Sequence, residues 1–256
     1  MKKMRFLSAV FVFCFLAAGL TVSANVQDLS HIEAILERLD EQSRFEDTDF
    51  SSVLTMIVED VEKGIEKMVV RQFRRDDGER FLLLIQEPVT EKGQGYLLEG
   101  DNLWFYDPSS RQFAHTSLKE TFQGSDARNA DFGSTSYASS YEVEGYLEGT
   151  LGNFEVYIID LKAVDDTVPF PYAKIWVTKD SDLVLKTEEY SLNYRLMRTG
   201  LFPKYTKVGN VVIPVQMIFI DELVEGNKTQ VAMSEISIND IPDHVFTKAY
   251  IERVNR

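Results

Sequence analysis

The pattern of apolar positions predicts one helix near the start of the chain and strands after it. Between residues 28 and 45, apolar side chains recur at three- and four-residue spacing, which is typical of one face of a helix. Asp28 or Ser30 is placed to cap its first turn. The apolar residues on that face are Leu29, Ile32, Ile35, Leu36 and Leu39.

Beyond residue 50 the period changes to two, and short apolar segments alternate with turn residues. The first run of segments covers 51–60, 64–75, 79–87, 94–99, 101–107 and 111–117. The second run covers 142–149, 153–162, 172–179, 183–192, 201–208, 211–221 and 228–238. Tight turns such as Asp76-Asp77-Gly78 and Gly209-Asn210 separate them. We therefore predict an antiparallel meander without βαβ units.

Residues 118–141 break this pattern and are rich in Gly, Ser, Ala and Asp, with isolated aromatic residues. Two interpretations remain open. The segment is either a linker between two domains or a lid or binding loop inside one domain, which loops of this length often form.

Several strands are apolar on both faces. In residues 211–220 only Gln216 is polar, whereas a sheet with one solvated face alternates cleanly. Such a sheet is either packed between a helix and a second sheet, or curved around an apolar space. The stretch Trp104-Phe105-Tyr106 is open to the same two interpretations: its rings belong to an ordinary core or to the wall of an apolar cavity.

The N-terminus predicts export. Lys2, Lys3 and Arg5 precede an apolar run, and Val22-Ser23-Ala24 offers a cleavage site before Asn25, so residues 1–24 are predicted to be a cleavable signal peptide. The alternative, an uncleaved anchor, is disfavoured because the run is shorter than the ~20 residues that span a bilayer. The lone cysteine, Cys14, lies within that run without a lipobox, so we expect an unlipidated mature chain.

Charge and composition limit the classes of partner and chemistry that are expected. Removing the signal takes Lys+Arg from 27 to 24 against 41 Asp+Glu, which changes the net charge from −14 to −17. Such a surface repels phosphate backbones, so no nucleic-acid partner is expected. The mature chain lacks cysteine, which excludes disulfides and thiol catalysis.

No catalytic or metal-binding motif is present. His31, His115 and His244 lack a second ligand type at metal spacing, and no metal or cofactor is expected. The acidic pairs are interpreted as solvated charges in turns or on strand faces. They are Asp76-Asp77, Asp165-Asp166 and Glu188-Glu189. We therefore do not expect an enzyme.

The stretch from Gly100-Asp101 through Trp104, Tyr106 and Pro108 to Arg111 reads Gly-Asp-x-x-Trp-x-Tyr-x-Pro-x-x-Arg. It resembles a segment of the outer-membrane lipoprotein-sorting family, the LolA/LolB-like proteins. Further matching segments are Gly124-Ser125-Asp126 with Asp131-Phe132, residues 183–190, residues 212–217, Lys228-Thr229 and residues 241–247. The similarity runs from about residue 28 to 254.

The resemblance implies a mainly β (α+β) fold: an incomplete antiparallel β-barrel, a curved sheet, with helices that cover an apolar cavity. Residues 25–256 would form a single domain, and the 118–141 loop and the N-terminal helix would be its movable cover. The predicted cavity-wall or lid residues are Trp104, Tyr106, Phe122, Phe132, Trp176, Met217 and Phe219.

The function implied is that of a monomeric periplasmic carrier that shields acyl chains of lipoproteins or lipids between the inner and outer membranes. Its partners would be an inner-membrane transporter and an outer-membrane acceptor. The chain departs from the family in being longer than the classical carrier and strongly acidic. The alternative is a periplasmic sensor of the same fold that binds mislocalised lipoproteins and an anti-sigma-type partner.

Overall fold

The computed structural model describes residues 28–134 and 136–255. The predicted signal peptide, residues 1–24, lies outside this part of the chain. No helix in the described ranges is long and apolar enough to cross a membrane.

Thirteen antiparallel strands form one curved, unclosed sheet, so the predicted fold class is confirmed. The strands are β1 (Phe50–Asp60), β2 (Gly64–Arg75), β3 (Arg80–Glu87), β4 (Gly95–Glu99), β5 (Asn102–Asp107), β6 (Gln112–Thr116), β7 (Tyr141–Leu151), β8 (Phe154–Ala163), β9 (Tyr172–Thr178), β10 (Val184–Tyr190), β11 (Leu196–Val208), β12 (Val211–Asp221) and β13 (Lys228–Ser237). The helices are α1 (Ser30–Ser43), α2 (Tyr137–Ser140) and α3 (Lys248–Val254).

The strand order shows how the two predicted runs combine. The order is β6-β5-β4-β3-β2-β1-β13-β12-β11-β10-β9-β8-β7, so each run is a meander and the pair β1–β13 joins them. The open edges are β6 and β7, the two strands that flank residues 118–141. Both runs lie in the same sheet, and no second sheet packs against it among the described residues.

Helix α1 covers one half of the concave face. Its buried side chains, Ile32, Ile35, Leu36 and Leu39, pack with residues of β8, β9 and β10, including Ile159 and Ile175. The carboxylate of Asp28 accepts a hydrogen bond from the Ser30 backbone N–H at 3.0 Å. This contact satisfies one of the backbone donors that a helix N-terminus leaves free.

The convex face of β3, β4 and β5 is covered by the C-terminal segment. Ile241, Val245, Phe246 and Ile251 pack there in one cluster with Leu82, Leu97 and Tyr106. Arg75 binds Asp49 through two hydrogen bonds of 2.7 and 2.8 Å. The pair holds the start of this segment, because Arg75 donates to the Ile241 carbonyl and Asp49 accepts from the Ile241 backbone N–H, both at 2.5 Å. The arginine holds the pKa of Asp49 below its usual range. Helix α3 was not predicted from the sequence.

Candidate functional site

A cavity of about 260 Å³ lies between the concave face of the sheet and residues 118–141, which we call the cover segment. Strands β1, β11 and β12 form its floor, and α1 and the cover segment close it from the other side. Its apolar lining includes Leu39, Phe50, Leu54, Phe132, Val184, Phe202, Met217, Phe219 and Met233.

The alternation of buried and less buried side chains along β12 explains which of its residues line the cavity. Residues at odd positions from Val211 to Phe219 are buried, whereas the intervening residues are less buried and Gln216 is exposed. Because neighbouring side chains on a strand point to opposite faces, Met217 and Phe219 line the cavity while Gln216 faces solvent.

One end of the cavity is polar. Arg198 of β11 is buried between two carboxylates: its Nη1 and Nη2 atoms donate to Asp131 at 2.6 and 3.0 Å, and it also binds Glu189. Its Nη1 atom further donates to the Asp126 carbonyl at 3.0 Å. The guanidinium lies over the Phe219 ring, 4.6 Å from its centroid.

These contacts occupy the donors of Arg198, so it has little capacity left to bind an anionic ligand. Burial raises the pKa of Glu189, with the Arg198 charge acting in the opposite direction. Around this end lie the hydroxyl groups of Tyr141 and Tyr205, which donate to the carbonyls of Phe170 and Val184 at 3.2 and 2.6 Å. A ligand in the cavity is therefore left mainly with apolar contacts.

Side chains of β2, α1 and β13 make three further attachments between the cover segment and the body. Gln72 of β2 donates from Nε2 to the Phe132 carbonyl at 2.7 Å. Asp40 of α1 accepts hydrogen bonds from the backbone N–H groups of Tyr137 and Ala138 at 2.7 and 2.9 Å. Burial raises the pKa of Asp40 against the effect of those two donors.

The third attachment joins the cover segment to β13. Thr229 donates to the carboxylate of Asp126 at 2.7 Å and accepts from the Asp126 backbone N–H at 2.9 Å. These three attachments are polar. The cover segment is also anchored by apolar packing, because Phe122 and Phe132 are buried in the core and the Phe122 ring centroid lies 4.9 Å from that of Tyr96.

The structure brings three of the seven predicted site residues to the cavity: Phe132, Met217 and Phe219. Phe122 is fully buried behind them, with its ring centroid 4.9 Å from that of Phe132.

The other three predicted residues lie elsewhere. Trp104 and Tyr106 are on the convex face under the C-terminal segment, whereas Leu103 and Phe105 of the same strand belong to the concave core. Trp176 alternates with the core residues Ile175 and Val177, and its ring lies beneath the amine of Lys186 at 4.5 Å. The sequence identified the faces of β5 but not which of them is concave.

Two interpretations of charge also need correction. Glu189 is not a solvated charge, because it lies in the buried cluster with Arg198. Asp76 is likewise buried, and it pairs with Arg74 near the end of α1. The sequence did not identify Arg198 as a buried residue. It is a polar residue before the predicted start of β11, and its partners are distant in sequence.

Comparisons with known proteins agree with this fold. A LolA superfamily protein from Nitrosomonas europaea has 24% sequence identity and a TM-score of 0.74, with 85% of this chain and 98% of that chain covered. An outer membrane lipoprotein-sorting protein domain from Vibrio parahaemolyticus has 17% identity and a TM-score of 0.77, with 86% and 98% covered.

A DUF1329 family protein from Desulfovibrio piger has 19% identity and a TM-score of 0.76, with 87% and 98% covered. At these identities the likeness shows the fold. No curated protein sequence matches the chain. A family model described as "Uncharacterized protein" matches residues 77–253, more than half of the chain. The chain therefore belongs to that family and has the open-sheet fold of the LolA superfamily.

Proposed function

We propose that the protein is a periplasmic carrier that shelters an acyl chain of a lipid or lipoprotein between the inner and outer membranes. The observation that carries this proposal is the apolar cavity of about 260 Å³ beneath the cover segment. Phe132, Met217 and Phe219 supply wall contacts that require no charged group on the cargo.

The energetics support transport without chemistry. Burying a methylene group is worth ~0.8 kcal/mol, so a chain of about a dozen carbons gains on the order of 10 kcal/mol before the entropic costs of binding. Met217 and Met233 lie in the wall, and flexible thioether side chains adapt to irregular ligands.

The volume of the cavity limits the size of the cargo that fits beneath the cover segment in its present position. Binding pockets for drug-sized molecules span roughly 300–1,000 Å³, so about 260 Å³ accommodates one chain and little more. A cargo with several chains requires the cover segment to move away from β2 and β11. Such a movement breaks the attachments through Gln72 and Arg198.

A titration with a fluorescent acyl probe tests the proposal. Met217→Trp fills the cavity and is expected to weaken binding at least tenfold, whereas Met217→Ala leaves room and keeps the affinity. Gln216→Trp is the matched control, because it adds the same bulk to the exposed face of the same strand. Failure of the unmodified protein to bind the probe, together with no bound lipid in native mass spectra, contradicts the proposal.

A further inference from the structure

A second recess lies on the convex face, near the open edge formed by β7. It has a volume of about 320 Å³ and includes Glu144, Asp160, Lys174 and three tyrosines, Tyr172, Tyr190 and Tyr194. Cross-strand pairing brings these side chains together: Asp160 pairs with Lys174, and Tyr172 pairs with Tyr190. We call this recess the tyrosine groove.

The aromatic part of the groove is held in an unfavourable backbone conformation. Tyr194, in the turn between β10 and β11, has φ +56°, a left-handed conformation that costs a non-glycine residue free energy. Its backbone N–H donates to Ser191 at 2.8 Å, and its ring stacks on Tyr172 with centroids 4.1 Å apart. The residue remains 61% exposed, so it is accessible to a ligand.

The charges of the groove favour a cation. Glu144 and Asp160 supply two carboxylates against the single amine of Lys174, which lies 3.2 Å from Asp160. Glu144 has no ion pair within the described ranges. Ammonium and guanidinium groups bind both carboxylates and the faces of aromatic rings.

The groove opens toward an unpaired backbone edge. Strand β7 is the last of the sheet and contains neither lysine nor proline, two residues that often protect such edges. A Cβ atom added at Gly145 would meet nothing within 4 Å, so the groove is open above this residue. A long side chain from a strand added beside β7 is able to pass over Gly145 toward Asp160, with which Gly145 pairs.

We propose that β7 and the tyrosine groove bind an extended, basic segment of a partner protein, with a lysine or arginine side chain inserted among the tyrosines. Backbone hydrogen bonds to β7 would supply affinity, and the groove would supply specificity for the cation. A second copy of this chain fits poorly, because β7 carries Glu142, Glu144 and Glu148 and no cation. This inference does not depend on the proposed carrier function.

Fluorescence anisotropy with a labelled 12-residue peptide of alternating lysine and threonine tests the inference. The unmodified protein is expected to bind this peptide and not a glutamate–threonine counterpart. Gly145→Val blocks the path, and its Cβ atom meets nothing within 4 Å, whereas Tyr194→Gly removes the ring while relieving the backbone. Each is expected to weaken binding at least tenfold.

The controls separate this site from general charge attraction. Leu192→Ala changes an exposed residue of the same turn, which does not line the groove, and is expected to leave binding unchanged. Glu62→Lys and Glu144→Lys change the net charge equally, but only Glu144→Lys is expected to weaken binding tenfold. The acyl-probe affinity of all these variants should equal that of the unmodified protein, so failure here is distinct from failure of the carrier proposal.

Four results would overturn the inference. One is absence of binding to the lysine peptide, and another is equal loss in the Glu62→Lys and Glu144→Lys variants. The third is complete displacement of the lysine peptide by choline or phosphoethanolamine, at concentrations matched to the peptide's lysines. That result would identify the groove as a binding site for lipid head groups. Dimerisation through β7, detected by light scattering and abolished by Gly145→Val, would equally replace the partner by a second copy.

Discussion

The two faces of the same sheet bury apolar surface in different ways. On the convex face, Ile241, Phe246 and Ile251 pack directly against β3, β4 and β5. On the concave face, a cavity of about 260 Å³ remains, and the segment above it is held by polar side chains and by the buried rings of Phe122 and Phe132. The C-terminal segment therefore packs directly onto its face of the sheet, whereas the cover segment leaves an apolar space beneath it.

The largest expected effect comes from the buried cluster of the concave face. Arg198→Met leaves Asp131 and Glu189 buried without their cation, and breaking a buried pair in this way costs about 3–5 kcal/mol. Urea denaturation should therefore show a much lower free energy of unfolding. Arg195→Met, at an exposed position in the preceding turn, is the control and should stay within about 0.5 kcal/mol of the unmodified protein. Equal stability of the two variants would contradict the role of the cluster.

A substitution on the convex face should separate stability from binding. Ile251→Ala removes a fully buried side chain of α3, and such truncations cost about 2–5 kcal/mol. Because this residue lies on the face opposite the cavity, the acyl-probe affinity of the folded protein should not change. A parallel loss of affinity would show that the two faces are coupled.

A smaller effect is expected from the attachment between β2 and the cover segment. Gln72→Leu leaves the Phe132 carbonyl without its donor, and an unsatisfied buried group costs about 1–3 kcal/mol. Hydrogen exchange should accelerate in residues 118–141 more than in β3 or β4. Uniform acceleration across the sheet would indicate global destabilisation instead of opening of the cover.

The two faces should also differ in the sign of their pH dependence. Burial raises the pKa of Asp40, so the folded state binds more protons than the unfolded state. The contribution of Asp40 to the free energy of unfolding therefore falls as pH rises above about 4. Arg75 lowers the pKa of Asp49, so its contribution is present above about 4 and is lost as pH falls below that value. Comparing Asp40→Asn and Asp49→Asn with the unmodified protein by denaturation at several pH values should give slopes of opposite sign. Slopes of the same sign would contradict the assignment.

The sheet was predictable because its strands and turns are local. Twelve of the thirteen strands lie within about two residues of their predicted bounds, since alternation and turn residues identify them. Strand β11 begins at Leu196 instead of residue 201, because Arg198 and Gly200 interrupt the apolar pattern. Arg198 is buried only because carboxylates distant in sequence neutralise it, and local patterns do not record such pairing.

The candidate site was only partly predictable for a related reason. A strand with two apolar faces, such as β5, does not reveal which face is concave, so Trp104 and Tyr106 were chosen instead of Leu103 and Phe105. Helix α3 was missed because its seven residues are too few to establish a helical period. Its position depends on contacts with the convex face, which the sequence does not specify locally.

Photo-crosslinking with a diazirine-labelled fatty acid, followed by peptide mapping, tests the central claim most directly. The carrier account predicts that the label attaches to the concave wall, at Phe132, Phe202, Met217 or Phe219, and that Met217→Trp reduces the labelling. Labelling confined to the convex residues Trp104 and Tyr106, or equal labelling of the unmodified and Met217→Trp proteins, would contradict it.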